Sequence, residues 1–303
     1  MGVDAETLTE VFELWNRTPD EDLAGLSPAA LAELLEDPFE ATDVLVFADV
    51  LPRSTLSTRA ALSTRATLSP VVPLAPVATL LAPVFQALTD GPVRATANGY
   101  LPRSLCVEVE EAAFERHGVL PLEGRRATMR SESAFLSLHL ARVTAASAGL
   151  LRLYRGAFVM TRKGRSLHER HGMAGLYPAL LRAFATRIEW SSLDAYPRAP
   201  IVQASFAFSL TLLARYGRVR RPAGFYAERW QRAFPGVVEE FRGTRLGTRR
   251  EAQRFADCYE TRVLERFMWF FGLAELSRER PGASSSVRAT PLLFEVLALR
   301  QGG

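Results

Sequence analysis

Lysine is nearly missing from this chain: Lys163 stands alone among 37 basic residues in 303. It sits in Lys-Gly-Arg, not Gly-Lys-Ser/Thr, so no phosphate-cradling glycine-rich loop is present. The two cysteines, Cys106 and Cys258, lie 152 positions apart, too few and too distant for a disulfide framework. Their apolar neighbours mark them as small core residues instead of nucleophiles. Histidine is also scarce. His168 and His171 can share a helix face, but zinc needs three or four ligands, and only His117 and His139 remain elsewhere. There is no Gly-x-Ser-x-Gly elbow. Met1 to Arg17 has no basic stretch ahead of an apolar core, so no signal peptide is expected. The uncharged run between Arg65 and Asp90 is broken by Pro70, Pro73, Pro76 and Pro83, which argues against a membrane span and for extended chain leading into a short core helix. These gaps point to a cytosolic protein with reduced thiols and to no enzyme, no cofactor and no metal.

What is present is ample apolar material: 48% of residues are hydrophobic, 23% are charged, and mean hydropathy is near zero. That is enough to bury a core, so a wholly disordered chain is excluded. Charge is unevenly placed. Residues 1–50 hold thirteen acids and one base, Arg17, a formal −12; with +4 overall, residues 51–303 carry +16. In the acidic head, Leu8, Val11, Phe12, Leu14 and Trp15 recur at helical spacing. Ser27-Pro28 is an N-cap followed by proline at the first helical position, and Leu31, Leu34 and Leu35 form a second stripe that Pro38 stops. The acids read as the solvated sides of these helices.

An internal repeat organises the rest. The first copy runs from an apolar helix ending near Asp90-Gly91 into Val93-Arg94. Helices follow over Leu101 to His117 and Ser131 to Gly149. Leu150 to Tyr154 alternates as a strand, Arg155-Gly156 turns, Ala157 to Met160 returns, and Thr161 caps a closing helix. The second copy repeats that order: a helix over Ile201 to Tyr216, then Val219-Arg220, helices over Phe225 to Phe234 and Arg249 to Phe271, and a hairpin after Gly272 with Pro281-Gly282 at its tip. A last helix is capped at Thr290. Three helices closed by a two-stranded ribbon make a winged helix-turn-helix. The expected fold class is therefore mainly α with small β-hairpins. It divides into an acidic helical segment (1–50), a low-complexity Pro/Ser/Thr linker (51–75) and two tandem winged-helix-like domains (76–190 and 200–303).

Three stretches carry a resemblance: Gly25-Leu26-Ser27-Pro28 through Leu34-Leu35 to Pro38-Phe39; Asn98-Gly99-Tyr100-Leu101-Pro102-Arg103; and Ala148-Gly149-Leu150 through Thr161-Arg162-Lys163-Gly164-Arg165. In these the chain resembles uncharacterised bacterial winged-helix-like proteins labelled as plasmid or mobile-element passengers. The family usually places glycine before asparagine in the second stretch; here the order is Asn98-Gly99, a departure in turn geometry rather than chemistry. The resemblance implies a fold and no activity.

Basic surface is the remaining chemical signal. Arg142 to Arg187 holds nine bases and one acid, Glu169. If the first hairpin projects, Arg142, Arg152, Tyr154, Arg155, Arg162, Lys163 and Arg165 meet a phosphate backbone, joined by Arg218, Arg220 and Arg221 from the second copy. The helix from Ser131 to Ala148 offers Ser133, Ser137, His139 and Arg142 but no Asn or Gln, so base reading is not expected. The expectation is a non-catalytic nucleic-acid-associated protein that contacts double-stranded nucleic acid through phosphates, with no membrane. The alternative is an adaptor for a protein partner, using the aromatic helix with Phe255, Tyr259, Val263, Phe267, Trp269, Phe270 and Phe271, although core packing is the favoured reading of those residues.

Overall fold

A computed structural model describes residues 5–44, 72, 75–118, 120–121, 131–242, 250–278 and 283–299. The linker expected over 51–75 lies outside these, apart from Val72 and Ala75, which are both buried. The hairpin tip at Pro281-Gly282 also lies outside them. The described residues cluster into two compact units: Val46–Glu189 with Glu265–Leu273, and Met1–Leu45 with Trp190–Leu264 and Ala274–Gly303. The acidic head therefore belongs with the second repeat.

The head folds as α1 (Ala5–Arg17), α2 (Pro28–Glu36) and α3 (Pro38–Ala41), then β1 (Thr42–Val44). Ser27 caps α2, its hydroxyl accepting the Ala30 N–H at 3.2 Å, with Pro28 in the first turn.

The first repeat opens with α4 (Pro76–Asp90) and β2 (Val93–Arg94). α4 runs straight through Pro83, where the proline pattern suggested a shorter helix. An interior proline costs a helix roughly 3 kcal/mol, but Leu80, Leu81, Val84, Phe85 and Leu88 of the same helix are fully or almost fully buried and offset that loss. A turn at Thr96–Tyr100 follows, with Gly99 at φ 75°, the left-handed position its place after Asn98 supplies. Next come α5 (Arg103–His117) and α6 (Leu136–Ser147). α6 starts five residues later than its expected start at Ser131, because Glu132–Ala134 form a 3-10 turn that points the Glu132 carboxylate inward.

The ribbon is β3 (Leu151–Tyr154) and β4 (Ala157–Met160), joined by Arg155 (φ 50°) and Gly156 (φ 75°). Two positive φ values in a two-residue loop fit the twist of a hairpin. β2 pairs with β4 on the other side, giving the order β2-β4-β3.

α7 (Arg162–Arg187) closes the repeat and is kinked at Gly172. Its start is tied back to the end of α6. The Thr161 hydroxyl donates to the Gly149 carbonyl at 2.7 Å and accepts the Gly164 N–H at 3.0 Å. A Cβ on Gly164 would lie 2.1 Å from the Leu150 carbonyl oxygen, so only glycine allows this approach. The core of this unit is finished by residues from 265–273: Phe184 packs on Phe267, Phe270 and Phe271, and the Tyr177 hydroxyl donates to the Phe271 carbonyl at 2.5 Å.

The second repeat follows the same plan: α8 (Pro200–Ala204), α9 (Phe206–Tyr216), β5 (Arg221–Pro222), α10 (Ala223–Ala233) and α11 (Glu251–Tyr259), which continues as a π-helical stretch over Glu260–Trp269. After it come β6 (Ala274–Ser277), β7 (Ser286–Ala289), α12 (Pro291–Val296) and β8 (Leu297–Leu299). The sheet order β5-β7-β6 reproduces that of the first repeat, and β8 pairs with β1 of the head. Both repeats are thus winged-helix-like, within a mainly helical chain that carries two three-stranded antiparallel sheets.

Trp230 anchors the second core against Phe234, Phe255 and Tyr259, and its indole N–H donates to Ser205 at 2.9 Å. Arg262 is buried with Asp194 in a two-pronged pair (3.0 and 2.7 Å) and also donates to the carbonyls of Tyr196, Pro197 and Arg198. The head is held by Arg215, which donates to the Ala24 carbonyl and Glu21, and by Arg232, which meets Asp22. Glu21 and Asp22 stay exposed, as the solvated reading expects, and also fasten the head. Among the described residues no helix is long and apolar enough to cross a membrane.

Candidate functional site

The β2-β4-β3 sheet fixes which side chains share a face. Arg94 is opposite Ala157, which is opposite Tyr154, and Arg152 is opposite Val159. Side chains alternate along a strand, so Arg94, Tyr154 and Arg152 stand on one face while Val93, Leu151, Phe158 and Met160 take the other. Phe158, Leu151 and Met160 are buried; Arg94, Arg152, Tyr154 and Arg155 are exposed. The guanidinium of Arg152 lies 5.1 Å from the Tyr154 ring centre and that of Arg155 lies 5.2 Å from it. The tyrosine thus holds two cations in place. One residue past β4, Arg162 and Arg165 are exposed on the first turn of α7. Among the described residues none of these five arginines pairs with a carboxylate. Arg94 was not among the expected contacts. Its signal was a short strand before α5, whose pairing with β4 is invisible in sequence.

Other expected contacts have partners within the chain. Arg142 turns inward: its side chain is 12% exposed, its Nε donates to Glu132 at 2.6 Å, and its guanidinium lies over Phe158. Lys163 donates to the Ala148 carbonyl at 3.0 Å, while Arg187 donates to Ser147 at 2.7 Å. Two cations thus cap the end of α6, where the helix dipole favours them. Burial and the nearby Arg187 charge lower the Lys163 pKa. Arg220 pairs with Glu275 at 3.1 Å, and Arg288 meets the same carboxylate at 2.8 Å. Arg221 is half-buried over Phe225. Of the second copy's trio, only Arg218 is fully exposed and free of a carboxylate; it lies over Phe294.

The third helices present little to a groove. On α6 only Leu136, at 37%, and Ala146 are exposed; Ser137 is buried, and His139 is bound through Nδ1 to Glu132 at 2.7 Å. Glu132 is wholly buried and also accepts the Leu101 N–H at 2.7 Å. Burial acts to raise its pKa, but the hydrogen bonds from His139, Leu101 and Arg142 outweigh it and hold the carboxyl below the usual range. On the second repeat, α10 and α11 flank a cleft of about 280 Å³ lined in part by Glu228, Asp257 and Glu260, a surface that repels phosphate. The aromatic helix is core, the reading favoured for it from the sequence: Phe255, Tyr259, Phe267, Phe270 and Phe271 are fully buried.

Other reactive groups have structural surroundings. Burial, then the Glu132 charge, pushes the Cys106 thiol up to about 11. Burial, then Arg116, lowers His117 to about 4, and its Nε2 lies 3.0 Å from the Thr79 hydroxyl. His168 lies against Phe85. Compared with family models, curated proteins and solved structures, the chain finds no match.

Proposed function

We propose that this chain is a non-catalytic, nucleic-acid-associated protein that grips double-stranded nucleic acid by its phosphate backbone through the first β-ribbon. One observation carries the reading: Arg152 and Arg155 lie over the Tyr154 ring and Arg94 stands on the same face of the sheet, and among the described residues none of the three has a carboxylate partner. Arg162 and Arg165 extend the set, and Arg218 adds one free cation on the other repeat. Guanidinium groups free of internal partners are available to displace counterions from a duplex. The buried flank of α6 supports sequence-independent binding, since base edges are read by side chains that enter a groove.

The test is retardation of a labelled duplex across a salt series. Binding that weakens steeply with salt and is equal for unrelated sequences supports the reading. No retardation at low salt, or affinity indifferent to salt, removes it. A second reading, a protein adaptor, loses the aromatic helix to the core but gains a different surface, the uncovered face of α1.

A further inference from the structure

Two arginines of the second repeat share a pair of rings. Tyr216 ends α9 and Phe225 lies in the first turn of α10, with ring centres 5.3 Å apart in an edge-to-face contact. The Arg221 guanidinium lies 4.6 Å from the Phe225 centre and 6.0 Å from that of Tyr216. The Arg229 guanidinium lies 5.1 and 5.0 Å from the same two centres, and its Nη1 donates to the Tyr216 hydroxyl at 3.4 Å. Both arginines are half-buried, and among the described residues neither meets a carboxylate. The neighbouring acids are committed elsewhere. Glu228 pairs with Arg232 at 2.7 Å, and Glu21 with Arg215, whose guanidinium is a third cation over Tyr216. The rings attract cations but carry no net charge, so the repulsion between Arg221 and Arg229 is not cancelled.

Register sets where Arg221 emerges. It pairs with Val287, which is wholly buried, and residues opposite one another project from the same sheet face, so its stem rises from the core side of β5. Its Nε is buried and has no acceptor among the described residues. An orphaned donor on a cation is costly, and such a group marks the place of an ion or a water. Water supplies an acceptor but no charge; two cations at the same rings call for an anion. The Tyr226 hydroxyl is also buried and unpartnered, and burial pushes its pKa up to about 12 against the opposing Arg221 charge. We infer that Arg221 and Arg229 together bind one phosphate dianion, inorganic or the terminal group of a phosphate monoester. Such a group carries about −1.5 to −2 at pH 7, which answers two cations, and guanidinium forks match its oxygens. The site is independent of the first ribbon and of the function proposed for it.

Isothermal titration calorimetry of the full chain with inorganic phosphate, at an ionic strength fixed by sodium chloride, tests the site. The wild type should bind one equivalent saturably, and R152Q/R155Q should bind it equally. R221M and R229M should each weaken binding about tenfold or more, with circular dichroism unchanged. The wild type gives a second measurement that needs no variant: its urea midpoint should rise with phosphate and not with chloride at the same ionic strength. No saturable heat, a midpoint that phosphate leaves in place, or binding unchanged in R221M/R229M would each overturn the inference. A blunt duplex then identifies the source. Displacement of phosphate only by 5′-phosphorylated strands assigns a nucleic-acid end, and no displacement by either duplex assigns a small phosphate compound. Displacement by unphosphorylated strands would overturn the monoester assignment. Absence of duplex retardation would remove the proposed function and leave this site standing.

Discussion

Replacing Arg152 and Arg155 together by glutamine tests the first ribbon most directly, and its effect follows from the number of unpaired cations. Five arginines of the first unit, at 94, 152, 155, 162 and 165, are exposed and have no carboxylate partner among the described residues. If each neutralises one phosphate, the slope of log affinity against log salt is about −4.5, so affinity falls roughly 500-fold between about 50 and 200 mM salt. Removing two contacts leaves a slope of about −2.7 and a fall of roughly 40-fold over the same range. Stability should change little: both guanidinium groups lie over Tyr154 at the surface, where such contacts contribute about 0.5–1 kcal/mol each. Fluorescence anisotropy with a labelled duplex in a salt series reads the slope. The matched control is R220Q/R288Q on the second ribbon, whose cations already face Glu275. A slope unchanged in R152Q/R155Q, or lowered equally by the control, would refute the assignment of phosphate contact to the first ribbon.

Other expectations concern the frame that holds these surfaces. R262M strands the buried Asp194 carboxylate and three loop carbonyls, and urea titration of the full chain should show a loss of about 3–5 kcal/mol; a loss under 1 kcal/mol would contradict the buried pair. R262M/D194L should recover much of that loss. Acid should destabilise the first unit in two stages. His117 has a native value of about 4 against an ordinary 6.5, so its contribution is lost as pH falls across that interval. Glu132 has a depressed native value, so its contribution is complete above the ordinary 4.5 and disappears below it. NMR titration of the His117 ring near 6.5 would contradict the first, and an E132Q chain with an unchanged acid midpoint the second. G164A should cost about 1–3 kcal/mol by pressing a methyl group into the Leu150 carbonyl, read as a lower urea midpoint; a neutral result would mean the α7 joint is loose.

Local features of the fold were legible in the sequence. Ser27-Pro28 and Thr161 announce helix starts, Arg155-Gly156 announces a hairpin turn, and the repeated order of helices and strands announces two copies of one plan. Phe135, Leu136, Leu138, Leu140 and Val143 run around much of α6, a pattern that goes with its burial on several sides. What escaped is the pairing of charges over long separations. Nothing near Arg142 shows that Glu132 will turn inward to meet it, nor that Arg220 will find Glu275 fifty-five residues on. The head joins the second unit through Arg215 and Arg232, whose partners lie about two hundred positions away. A basic run in sequence counts cations, and only the folded chain shows which of them already have an anion.

The Glu275 carboxylate gives the duplication a lasting asymmetry. It meets both Arg220 and Arg288 through one carboxylate oxygen, whereas no described carboxylate meets Arg152 or Arg155 on the first ribbon. Exchanging that acid between the two ribbons would be expected to move the unpaired cations from one repeat to the other.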